Sequence, residues 1–260
     1  MTDISSVFKP GHKALIAYLT VGYPDVDTTT EAARTLAASG VDIIELGIPF
    51  SDPLADGATI QKASFEALKR GVTPEVCLNL ASDLHRQVKT PLVFMTYYNP
   101  VFTFGVEAFC RRCHEAGISG LIVPDLPPEE GHDLEAAAQK NSLDLIYLLA
   151  PTSTDERIAT VAARSRGFIY LVSLAGVTGA RQDLPPGLEE FVARVRRKAS
   201  QPLCVGFGIS SPDQAAKIAR VADGVIVGSR LIQLIEGDKT LGLLKSFALD
   251  LRAALDRTAD

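Results

Sequence analysis

Short β-rich apolar runs alternate with amphipathic helical stretches along the whole chain, and this alternation restricts the fold more than any other feature. Eight runs read as strands, at 14–20, 42–47, 92–96, 120–124, 144–149, 168–172, 203–206 and 224–227. Helical spacing of Ala, Leu, Glu and Arg marks the segments between them, at 28–39, 58–70 with 74–88, 106–116, 129–141, 154–165, 187–199, 212–221 and 241–257. A shorter helical run covers 230–235. Ser211-Pro212 places a capping hydroxyl before a first-turn proline, and Gly40 and Gly117 stand where helix C-terminal caps belong. Strands that alternate with helices pair in parallel through crossovers. Eight of them in 260 residues predict one (β/α)8 TIM barrel over residues 1–260, as a single domain with a short N-terminal extension. The alternative is a six-stranded open sheet. If that sheet bound a dinucleotide, it would carry Gly-x-Gly-x-x-Gly after its first strand, which Leu19-Thr20-Val21-Gly22-Tyr23-Pro24 does not match.

Charge and composition remove several function classes. The net charge is −5 with no long basic run, against the clustered Lys and Arg of a nucleic-acid surface. No apolar stretch reaches the length of a membrane span, and the first residues lack the order of a secretory signal, so a cytoplasmic location is expected. Cys110-Arg111-Arg112-Cys113-His114 matches the string of covalent haem attachment and half of a zinc site. It lies in a helical pattern with no second Cys/His pair nearby, which reads as two reduced thiols on one helix face.

In such a barrel the chemistry sits at the C-terminal ends of the strands. Within 42–47, Glu45 shares the face of Ile43, opposite Ile44 and Leu46, and therefore points into the barrel. Loss of hydration there favours the neutral carboxyl and raises its pKa, as a general acid requires. The competing reading is a buried Glu held in a structural hydrogen-bond network. Asp56 lies in a loop stiffened by Pro49 and Pro53; it is expected to stay ionised, or else to cap the helix that follows. Asp52 suits a turn or a partner contact. Gly176-Val177-Thr178-Gly179, Gly206-Phe207-Gly208 and Gly228-Ser229 all fall on the same rim, where glycine amides and a helix N-terminus can cradle a phosphate. No lysine stands at a strand end for Schiff-base chemistry, and the four histidines fall in helices or the N-terminal segment.

The stretch Glu45-Leu46-Gly47-Ile48-Pro49-Phe50-Ser51-Asp52-Pro53-Leu54-Ala55-Asp56-Gly57 closely resembles the signature of the tryptophan synthase alpha subunit family. The resemblance extends through Thr20–Pro24, Tyr97-Tyr98-Asn99-Pro100, Val123-Pro124-Asp125-Leu126-Pro127 and the rim glycines. It implies retro-aldol cleavage of indole-3-glycerol phosphate to indole and glyceraldehyde 3-phosphate. Glu45 is then the residue that protonates the indole ring and Asp56 the acceptor of its N–H. Tyr170 supports Glu45, and Thr178 orients Asp56. Gly179, Gly208, Gly228 and Ser229 hold the phosphate, while Tyr18, Ile60, Met95, Ile122 and Phe207 wall the indole. Tyr18 stands where the family often has phenylalanine, and Ala58 where it often has proline. The implied partner is the beta subunit, which carries pyridoxal phosphate, in an α2β2 assembly; this chain is expected to hold no cofactor. A stand-alone lyase, a different phosphate-handling barrel enzyme and a non-catalytic regulatory subunit remain as alternatives.

Overall fold

The computed structural model describes residues 3–172, 186–206 and 208–258. The strands are β1 (Ala14–Thr20), β2 (Ile43–Gly47), β3 (Leu92–Met95), β4 (Ile118–Ile122), β5 (Asp144–Ile146), β6 (Leu148–Leu149), β7 (Ile169–Val172), β8 (Leu203–Gly206) and β9 (Gly224–Val227). They form one sheet in the order β5-β4-β3-β2-β1-β9-β8-β7-β6, with every pair parallel. Only Tyr147 separates the two ends of that order, so the sheet curls into a nearly closed barrel.

The helices are α1 (Val26–Ala38), α2 (Ala58–Lys69), α3 (Pro74–His85), α4 (Tyr98–Phe104), α5 (Val106–Glu115) and α6 (His132–Lys140). After them come α7 (Asp155–Arg164), α8 (Leu188–Arg196), α9 (Pro212–Ala219), α10 (Ser229–Gly237) and α11 (Gly242–Asp256). Proline opens α3 and α9, where its missing N–H costs no helical hydrogen bond, behind the side-chain caps Thr73 and Ser211.

The strand alternation sorts the core into two layers. Ile16, Ile43, Val93, Ile122, Ile146, Phe168, Cys204 and Ile226 fill the barrel interior, one from each of eight strand positions. Their sequence neighbours, such as Leu15, Ile44, Phe94, Leu121 and Val225, pack outward with the helices. The N-terminal extension forms a single 3-10 turn, Ile4–Val7, and Ile4 joins the inner layer.

Three local features depart from the sequence reading. The run 144–149 breaks at Tyr147, whose N–H donates to Ser165 Oγ (3.1 Å) while its carbonyl accepts from the Tyr170 N–H (3.0 Å). The helix expected over 129–141 divides into a 3-10 turn, Pro128–Glu130, and α6, because Gly131 sits under the Tyr147 ring. A Cβ at Gly131 would lie 2.0 Å from Tyr147 Oη, and that hydroxyl donates to Glu135 (2.6 Å). Finally, α4 falls between the expected segments; Pro100 is tolerated in its first turn, and the Tyr98 N–H is capped from outside by Asp125 Oδ1 (2.9 Å).

Cys110 and Cys113 are buried free thiols on one face of α5, as the spacing predicts, and Cys77 and Cys204 are also buried and free. Among the described residues, no helix is long and apolar enough to cross a membrane.

Candidate active site

One step of two residues along the strands, past the inner apolar layer, reaches the rim layer. From Ile16, Ile43, Val93, Phe168 and Ile226 that step arrives at Tyr18, Glu45, Met95, Tyr170 and Gly228. The expected site residues are thereby gathered by register. Tyr18 packs with Tyr23, Ala63 and Ile232, with Ile60 and Met95 against them. Met95 also touches the inner layer that holds Ile122, as do Tyr170 and Leu148. Leu148 belongs to this lining but is absent from the sequence reading. The same two-residue step from Ile146 would have found it.

Glu45 is fully buried on β2, and neither of its carboxylate oxygens has a hydrogen-bond partner among the described residues. A buried Glu kept for structure has its oxygens satisfied, and among the described residues no such network holds Glu45. Burial, and then the charge of Asp56, push its carboxyl up to about 8. At neutral pH it is an acid holding its proton.

Asp56 is half-buried at the end of the loop that leads into α2. It does not cap that helix: the cap is Gly57, with no side-chain hydrogen bond. Instead the Tyr97 hydroxyl accepts from the Ala55 N–H (2.9 Å) and donates to the Asp56 carboxylate. Burial raises Asp56 to about 6, and the Tyr97 hydrogen bond works against that rise. Asp56 therefore stays ionised at pH 7, by a narrower margin than an exposed loop would give. Tyr97, itself buried and stacked on Phe50 (ring centroids 5.1 Å apart), is a second residue the sequence reading missed. It sits just before α4, a helix that the sequence pattern does not mark, so its orientation is not legible there.

Two tyrosines flank this pair in the same way. Tyr18 leans over Gly47 on the adjacent β2, where a Cβ would lie 2.1 Å from its hydroxyl oxygen. Tyr170 leans over Gly206 on the adjacent β8, where the corresponding distance is 2.3 Å. Both phenols are raised well above their ordinary value, by burial first and by the charges of Asp56 and Glu45 after it. Across the rim, Gly208 (φ +22°) follows β8, and Gly228 caps α10 ahead of Ser229. The Leu231 N–H already donates to the Gly228 carbonyl (2.8 Å), so the amides this corner can offer an anion are those of Ser229 and Arg230, which have no acceptor one turn back within the helix. Thr178, Gly179 and Phe207 lie outside the described residues. Among the described residues no group of three His, Cys, Asp or Glu side chains is arranged to hold a metal.

A family model described as tryptophan synthase alpha chain matches residues 4–250. The chain belongs to the tryptophan synthase alpha chain family. A tryptophan synthase alpha chain from Dehalococcoides mccartyi is 58% identical, over 98% of this chain and 100% of that one. Another, from Geotalea uraniireducens, is 46% identical over 98% and 96% of the two chains. Among solved structures, tryptophan synthase from Mycobacterium tuberculosis superposes with a TM-score of 0.91 at 41% identity, covering 98% of this chain and 99% of that one. The alpha chain from Legionella pneumophila gives 0.90 at 34% identity, covering 99% and 98%. For a tryptophan synthase alpha chain, a lyase part in tryptophan synthesis follows.

Proposed function

We propose that this chain cleaves indole-3-glycerol phosphate to indole and glyceraldehyde 3-phosphate, as a carbon–carbon lyase in the last steps of tryptophan biosynthesis. One observation carries the reading: a buried carboxyl at Glu45 with no hydrogen-bond partner among the described residues, pushed up to about 8, beside an Asp56 raised only to about 6. Two carboxyl groups driven apart in this way divide acid and base work between them. Glu45 gives its proton to the indole ring carbon that bears the side chain. Asp56 accepts the hydrogen bond of the ring N–H and stabilises the positive charge that the ring acquires. Glu45, now a carboxylate, removes the proton of the side-chain hydroxyl next to the ring. The carbon–carbon bond breaks, its electrons return to the ring, and the aldehyde leaves with the phosphate.

Gly208, Gly228 and Ser229, with Gly179, hold the phosphate at the corner opposite Glu45. Tyr18, Ile60, Met95, Ile122 and Phe207 wall the ring, and Thr178 steadies Asp56. No cofactor takes part in this sequence of steps. The partner is a beta subunit carrying pyridoxal phosphate, in an α2β2 assembly that receives indole from this rim. Two exposed apolar side chains support a partner there: Leu54, 93% exposed in the loop after β2, and Phe102, 68% exposed on α4. The compartment this implies is the cytoplasm. The test is indole release from indole-3-glycerol phosphate by the isolated chain, repeated with a beta subunit. Release that rises when the beta subunit is added supports the whole reading. Strong release that is indifferent to it supports a stand-alone lyase, and no release under either condition overturns the reaction.

A further inference from the structure

From Ser51 on, the loop that carries Asp56 has little packing to hold it. Leu54 is 93% exposed, Ser51 and Asp52 are exposed, and a Cβ on Gly57 would meet nothing within 4 Å. Two side chains from outside the loop hold its backbone by hydrogen bonds instead. One is Tyr97, whose hydroxyl accepts from the Ala55 N–H (2.9 Å). The other is Gln61, the fourth residue of α2. Its side-chain amide donates to the Asp56 carbonyl (2.8 Å) and makes a longer contact with the Pro53 carbonyl (3.4 Å). Those two carbonyls bracket the exposed turn at Leu54-Ala55, which the Asp56 N–H closes by donating to the Pro53 carbonyl (3.1 Å). The helix itself supplies the reach. Helical side chains lean back toward the N-terminus, so a glutamine whose own N–H is paired with the Gly57 carbonyl (3.0 Å) covers the residues just ahead of the cap. Its two amide hydrogens can serve two carbonyls at once.

Resting on the reaction proposed above, Asp56 is useful only where the ring N–H arrives, and a displacement of about 1 Å at such a contact can cost about a hundredfold in rate. We infer that Gln61 is a positioning residue, which ties the Asp56 backbone to α2 and so keeps the carboxylate in its half-buried place at the rim. It acts from behind, on the main chain, and its amide bonds neither the Asp56 carboxylate nor the groups around it. Those groups are Tyr97, Glu45, Tyr18 and Tyr170, all from other elements of the barrel. A change at Gln61 therefore moves Asp56 relative to surroundings that stay as they are.

Two variants test this. Gln61→Met keeps the length and helix preference of the side chain and removes its donors, and Gln61→Lys restores a donor at about the same reach. For Gln61→Met, kcat for indole release is expected to fall about three- to tenfold with KM within about twofold, because Asp56 meets its full opposing charge only after the ring is protonated. Gln61→Lys is expected to keep kcat within about twofold of the parent. The substrate-free chain gives a readout independent of the reaction. Burial raises Asp56 to about 6, so a loop released toward water should let its midpoint, followed by carbon NMR of the side-chain carboxyl, fall by about half a unit or more in Gln61→Met. Loss of the Tyr97 donor would raise the same midpoint, so the sign of the shift tells the two holders apart. A merely structural Gln61 would lower urea stability and leave the midpoint in place. An unchanged Asp56 midpoint, or a Lys variant as slow as the Met variant, overturns the inference. A parent chain that releases no indole counts against the proposed reaction, and the midpoint shift then decides the role of Gln61.

Discussion

Two carboxylates three residues apart, one just before a strand and one in its middle, live under opposite conditions. Asp42 precedes β2 at the bottom of the barrel and is met from every side. It accepts from the Leu15 N–H (2.8 Å) and from Arg252 (2.9 Å), and His12 Nε2 lies 2.9 Å from its other oxygen. Arg252 in turn donates to the Lys13 carbonyl (2.9 Å) and to Asp256 (2.8 Å), tying α11 to the start of β1. Glu45, on the same strand, is buried with neither oxygen partnered among the described residues and a neighbouring negative charge. Asp42 shows how this fold treats a carboxylate it needs for structure, and Glu45 is treated otherwise. The barrel accepts that cost at its rim, where function lies, and avoids it at its base.

Glu45→Gln is expected to lower indole release by about a hundredfold to ten-thousandfold, the usual contribution of a positioned acid. The same change should alter stability with the opposite sign. The folded pKa of Glu45 lies above its unfolded value, so between about 4.5 and about 8 the folded state holds more protons and stability falls as pH rises. Gln removes that slope, and the variant's thermal midpoint relative to the parent's should climb from pH 5 to pH 8. A variant that loses turnover and also loses stability at pH 8 would show that Glu45 has a hidden structural partner.

Asp42→Asn tests the other end. It removes one of the two carboxylates that Arg252 meets in a part-buried position and leaves only Asp256, which should cost about 1 to 2 kcal/mol in urea unfolding. Indole release by the folded variant should stay within about twofold of the parent. A large loss of turnover without loss of stability would mean that the base network reaches the rim chemistry.

How much of this contrast the sequence carried depends on whether the cause was local. The direction of Glu45 follows from strand periodicity alone, since Ile43 and Glu45 share the face opposite Ile44 and Leu46. Tyr18, Met95 and Tyr170 come from the family resemblance, while the alternation of apolar runs places all eight barrel strands to within a few residues. Partners supplied from far along the chain were not legible. The Asp125 cap on α4 comes from 27 residues away, the Arg252 donor to Asp42 from 210, and the Tyr97 contact to Ala55 from 42. The break at Tyr147 belongs to the same class, because it depends on Ser165 and on the room left by Gly131.

Tyr97 gives the smallest and most discriminating test, because it acts on Asp56 and leaves Glu45 its own environment. For the parent, kcat/KM should be bell-shaped, falling below about pH 6 as Asp56 takes up a proton and above about pH 8 as Glu45 loses one. The Tyr97 hydroxyl donates to Asp56 and favours its ionised form. Tyr97→Phe removes that donor, so Asp56 should become harder to ionise and the acidic limb should move to higher pH. The alkaline limb, set by Glu45, should keep its place, and kcat/KM at pH 7 should drop about three- to tenfold, within the range of one hydrogen bond to a charged group. If both limbs moved together, the two carboxyl groups would titrate as one coupled pair, and the separate acid and base assignments would have to be replaced by a shared proton. If only the acidic limb moves, the rim holds two groups with distinct surroundings, one tuned by burial and a neighbouring charge, the other by burial opposed by a single phenol.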